Sequence, residues 1–110
     1  MNSNNINGYV NKADTNIIEL ILVNKKVKNK LKSLGFLKDI ESERLIAKTN
    51  NDSEKAEIFN ALRNLDIAFS HGKEWCPAEV FEYFRDIGLL TGSFQRIQWK
   101  GPDDFYITSA

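Results

Sequence analysis

Ile58, Phe59, Leu62, Leu65 and Phe69 are spaced mainly three and four residues apart. Such spacing lines up one face of an α-helix and predicts a helix over residues 53–70. It is the strongest periodic signal in the chain. The polar run Thr49-Asn50-Asn51-Asp52-Ser53 before it reads as a loop. Asn51, with Glu54 three residues on, has the spacing of a helix-capping arrangement.

The rest of the chain is organised around this helix. Asp14 and Thr15 can cap a helix that runs to about Leu34, where Gly35 supplies a stop. Its first part, Ile17 to Val23, is apolar nearly all round and interrupted only by Glu19, which implies deep burial. Its second part carries Lys25, Lys26, Lys28, Lys30 and Lys32 around the stripe Val27, Leu31 and Leu34. Residues 36–48 fit a short helix better than an alternating strand. Pro77 opens a further helix, with Val80, Phe81, Phe84 and Ile87 on one side and Gly88 as its end. The chain then changes character. Residues 94–99 and 104–108 are rich in strand formers and flank the turn-like Lys100-Gly101-Pro102-Asp103, which predicts a β-hairpin. Two strands alone are marginal in water, so the hairpin must pack on the helices.

The expected architecture is therefore α+β and mainly α: about four helices followed by a C-terminal β-hairpin, packed on one core. The 110 residues are one domain's worth. Residues 1–13, rich in asparagine, read as a frayed leader. Apolar residues make up 42% and charged residues 27%, which excludes a disordered chain. No stretch approaches the ~20 apolar residues that cross a bilayer. A single cysteine, Cys76, allows no intrachain disulfide. The simplest compartment is the cytoplasm.

Chemistry is sparse. His71 is the only imidazole, which excludes paired-histidine catalysis and a multi-histidine metal site. A Cys76–His71 pair is conceivable, but nothing in its spacing enforces contact. Pairs of carboxylates such as Glu79/Glu82 look solvent-facing rather than held in a cleft that would separate their pKa values. The expectation is a protein without catalytic residues, metal or cofactor.

The order helix, Gly88-Leu89-Leu90, hairpin, with the ending Phe105-Tyr106-Ile107-Thr108, resembles winged-helix DNA-binding domains. That resemblance implies a transcriptional regulator. The charges oppose it. Glu79, Glu82 and Asp86 fall within ~60° on the outward face of the Pro77–Ile87 helix, where a recognition helix needs Lys and Arg. Lys+Arg and Asp+Glu are both 15 overall, yet unevenly spread. Residues 25–48 carry a net +5 and residues 49–110 a net −4. A plain solvated face accounts for much of either segment. Glu82 and Asp86, however, repel at i,i+4, and Asp86 sits at the negative end of the helix dipole. Both choices work against the helix itself.

The segment His71-Gly72-Lys73-Glu74-Trp75-Cys76-Pro77-Ala78-Glu79-Val80-Phe81-Glu82-Tyr83-Phe84 and the ending Gly101-Pro102-Asp103-Asp104-Phe105-Tyr106-Ile107-Thr108 resemble bacterial immunity proteins of the contact-dependent growth inhibition, or polymorphic toxin, type. The resemblance implies a cytoplasmic inhibitor whose partner is the basic C-terminal nuclease domain of a cognate toxin, an RNase in many cases. The carboxylates suited to a cationic nuclease cleft are Glu79, Glu82, Asp86, Asp103 and Asp104. Trp75, Tyr83, Trp99 and Tyr106 are the candidate aromatic anchors, with Trp99 foremost.

Overall fold

The computed structural model describes residues 6–13, 16–38, 44–71, 77–101 and 104–110. Its elements in chain order are β1 (Gly8–Lys12), β2 (Ile17–Leu22), α1 (Lys28–Ser33, entered through a 3-10 turn at Lys25–Val27), β3 (Leu37–Lys38), β4 (Leu45–Lys48), α2 (Asp52–Asn64), β5 (Ile67–His71), α3 (Pro77–Asp86), β6 (Gln95–Gly101) and β7 (Asp104–Ser109). All seven strands join one sheet in the order β3-β4-β2-β1-β5-β6-β7. The adjacent strands β1, β5 and β6 run parallel, and all other neighbouring pairs are antiparallel.

This overturns the expectation of a mainly helical protein. The described residues form a mixed sheet carrying three helices. The first expected helix is the largest correction. Ile17–Leu22 is apolar nearly all round because β2 lies inside the sheet between β1 and β4. A short apolar run has the same composition in a buried strand as in a buried helix, and three isoleucines in six residues favour the strand. Residues 36–48 hold β3 and β4 where a short helix was expected. The frayed leader is corrected over Gly8–Lys12, where β1 stands inside the sheet with Val10 fully buried; residues 1–5 of that expectation lie outside the described residues.

The helix expected over residues 53–70 stops early. α2 ends at Asn64, Asp66 takes a left-handed φ of +59°, and the chain turns into β5. Leu65 and Phe69 therefore do not share a helix face. Phe69 instead alternates with Ser70 across the sheet. The expected end signals hold elsewhere. Gly35 and Gly88 take φ of +101° and +83° just after α1 and α3, a region open to glycine without a Cβ penalty. The hairpin is also present as β6–β7, with Trp99 opposite Phe105 and Ile97 opposite Ile107. The winged-helix arrangement is not: α3 is the crossover between the parallel strands β5 and β6.

The helices pack on the sheet face that carries Val10, Leu20 and Phe69. At the centre of this core Phe59 of α2 lies 4.8 Å from Phe69, Phe81 of α3 lies 5.1 Å from Phe69, and Phe94 stacks on Phe81 at 4.2 Å. Each buried aromatic removes roughly 150–250 Å² from water, so this group dominates helix docking. The opposite face has its own smaller cluster. Ile6, Ala68 and Ile97 are buried there beneath the partly exposed Tyr9, Trp99, Phe105 and Ile107.

Candidate functional site

Helix α3 owes its orientation to an uneven distribution of side chains. Ala78, Phe81 and Phe84 are buried against the sheet. The turns between them leave Glu79, Glu82, Tyr83 and Asp86 on the outer side. Glu79 and Glu82 are half-buried and Asp86 is exposed. Tyr83 is 43% exposed and Ile87 48%, so the acidic stripe has apolar surface running through it. Glu79 lies in the first turn, where the helix dipole favours a carboxylate. Asp86 lies at the opposite end, where the dipole disfavours one. Arg85 approaches Glu82 at only 4.0 Å with both side chains partly in water, a contact that offsets little of the stripe's charge.

The remaining expected residues do not all join this stripe. Asp104 is exposed at the start of β7 and shares the helix side of the sheet with Tyr106 and Thr108. Tyr106 is 36% exposed, and the Lys100 ammonium sits 5.2 Å over its ring. Trp99 faces the other way. It lies on the sheet face opposite the helices, within 5.9 Å of Tyr9 and 5.2 Å of Phe105, so it cannot share one flat surface with the α3 carboxylates. Trp75 and Asp103 lie outside the described residues, as does Cys76 of the possible Cys76–His71 pair. His71 ends β5 half-buried, opposite Gln98 of β6.

Reading the sequence missed the open sheet face. Its signal is the alternation Ile97, Trp99 in β6 and Phe105, Ile107 in β7, which sorts four apolar side chains to one side. Tyr9 joins them from β1. Burial raises the Tyr9 phenol above its ordinary value, and the nearby Arg44 guanidinium partly opposes this. Farther along the same face the buried Glu19 carboxylate accepts from Asn11 Nδ2 at 3.3 Å and from Arg44 Nη1 at 3.2 Å. Glu19 thus interrupts the β2 apolar run without being an unpaired charge.

Arginines that look free in the sequence are also committed. Arg63 donates through Nη1 to the carbonyls of Thr91 and Ser93 and through Nη2 to Asn60. Arg85 donates to the carbonyls of Gly92 at 3.0 Å and Ala110 at 2.9 Å. An open cleft of about 390 Å³ runs between α2 and Leu89–Thr91 and is lined in part by Asn60 and Arg63. Among the described residues no group of three or more His, Cys, Asp or Glu side chains is placed to hold a metal ion. No helix of the described residues is long and apolar enough to cross a membrane. Comparison with protein-family models, with curated proteins and with solved structures gives no match for the chain.

Proposed function

We propose that the chain is an immunity-type inhibitor that binds the basic nuclease domain of a cognate toxin, an RNase in the first instance, and neutralises it in the cytoplasm. The observation that carries the reading is the outer face of α3. Glu79, Glu82 and Asp86 stand there together around the exposed Tyr83 ring. Carboxylates grouped around an aromatic side chain suit a cationic protein surface. The charges steer encounter and set specificity, and the ring supplies apolar contact area. Two of these carboxylates weaken the helix that bears them, which a role in binding explains and a role in folding does not. The rigid support fits too, because α3 is pinned by Phe81 and Phe84 in the aromatic core.

The experiment is a titration of the purified chain against a basic toxin nuclease domain, at rising salt. Affinity should fall as salt rises. Glu82→Lys with Asp86→Lys should weaken binding by at least about tenfold, since each reversal turns an attraction into a repulsion. An unchanged affinity in that double variant rejects the α3 face. Failure of the unmodified chain to bind or to protect against the nuclease rejects the inhibitor reading.

A further inference from the structure

We propose that the protein forms a homodimer through β7, paired antiparallel with the β7 of a second copy about a twofold axis at Tyr106. The two ends of the sheet are unlike. β3 closes one end with two exposed residues, the second of them Lys38. Short edge strands and edge lysines are devices that prevent strand addition. β7 closes the other end with six residues, 104–109, among which there is no Lys, Arg or Pro. The irregularity in the hairpin falls between Trp99 and Gly101 on β6, so β7 itself runs without a bulge. One row of its backbone N–H and C=O groups therefore faces outward and pairs with no strand among the described residues.

The side chains select a second copy as that strand. In an antiparallel pair, residues directly opposite share a face. A twofold axis at Tyr106 sets Phe105 opposite Ile107 of the second copy, and Ile107 opposite its Phe105. The apolar face that already holds Trp99, Phe105 and Ile107 then continues across the junction. On the helix side the same register sets Asp104 of the second copy opposite Thr108. Thr108 is in turn opposite Arg96 within the chain. Arg96 Nε and Thr108 Oγ1 are buried side-chain atoms without a hydrogen-bond partner among the described residues. The row Arg96, Thr108, Asp104 of the second copy brings a carboxylate toward a cation and a hydroxyl, and no like charges meet. The pairing needs no toxin and stands whether or not the inhibitor reading does.

The test is sedimentation equilibrium of the full chain, with single-cysteine variants made in a Cys76→Ser background. The expected mass is twice 12.6 kDa at high concentration. Asp104→Lys should raise the dissociation constant about five- to tenfold, because a like charge then enters both symmetric rows. Tyr106→Cys should cross-link to itself under oxidised glutathione, since directly opposed strand residues fall within disulfide reach. Ser109→Cys, off the axis, should not. Far-UV circular dichroism checks that each variant is folded. A folded protein that stays at 12.6 kDa up to its solubility limit overturns the proposal. So does a dimer that cross-links as readily through residue 109 as through 106.

Discussion

Trp99 on β6 donates its indole N–H to the Ser70 hydroxyl on β5 at 3.0 Å, across the face of the sheet that no described helix covers. Ser70 is only 7% exposed, so the bond lies where water cannot easily replace it. Ser70→Ala should destabilise the protein by about 1 kcal/mol, the net cost of leaving a half-buried donor unpaired. Trp99→Ala should cost more, about 2–4 kcal/mol, because it also strips the ring from Tyr9 and Phe105 and uncovers Ala68. Urea unfolding followed by circular dichroism measures both. Equal losses would mean that the hydrogen bond, and not the ring, holds this face.

Asn51 caps α2 by accepting the Glu54 backbone N–H at 2.8 Å. Asn51→Ala should lower stability by about 1 kcal/mol, while Asn51→Asp should hold it nearly unchanged, since either oxygen can accept. Thermal melts of the two variants separate capping from a general effect of the loop.

That cap, the Pro77 start and the Gly88 stop of α3, and the C-terminal hairpin were legible in the sequence. Each depends on a local rule: a side chain meeting its own backbone, a missing N–H, a permitted φ, a turn between strand formers. What could not be read is what depends on distant partners. Ile17–Leu22 is a strand because β1 and β4 lie beside it: β4 comes only at Leu45–Lys48, and β1, although just ahead at Gly8–Lys12, lies in a polar stretch that reads as a leader. Phe69 kept helical spacing with Leu65 and Leu62, yet Asp66 turns the chain between them. The acidic side of α3 was legible because it needed only a helix and its inner face. The open face was not, because Tyr9 meets Trp99 only once β5 comes between their strands.

Arg63 and Arg85 together hold the segment between α3 and β6, which explains why α3's single cation does not neutralise its outer carboxylates. Arg85→Ala should destabilise by about 2–3 kcal/mol, since it removes two hydrogen bonds from a charged donor. The guanidinium also lies 5.2 Å from the Phe94 ring, and truncation abolishes that cation–π attraction as well. Gly92→Ala tests the other arginine. Gly92 has φ of +86°, and a Cβ there would stand 3.1 Å from Arg63 Nη1. The expected loss is about 1–2 kcal/mol from the left-handed backbone alone. Pairing Gly92→Ala with Arg63→Ala should give less than the sum of the single losses, because the clash disappears with the guanidinium.

Tyr9 makes stability fall in alkali. Burial raises its phenol above the ordinary value of 10.0, against a smaller lowering by Arg44. The folded state therefore favours the neutral phenol more than the unfolded chain does. Below the unfolded pKa, near 10, both states are protonated and the stability is fully present. As pH rises past that point the unfolded chain loses its proton first. Stability then drains away until the pH passes the raised folded pKa. Tyr9→Phe removes the titration and keeps the ring that packs on Trp99 and Phe105. The melting temperature of the unmodified protein should fall faster as pH rises past about 10 than that of Tyr9→Phe, with the two alike near neutrality. Parallel curves would show that the Tyr9 hydroxyl is as well solvated in the folded sheet as in the unfolded chain.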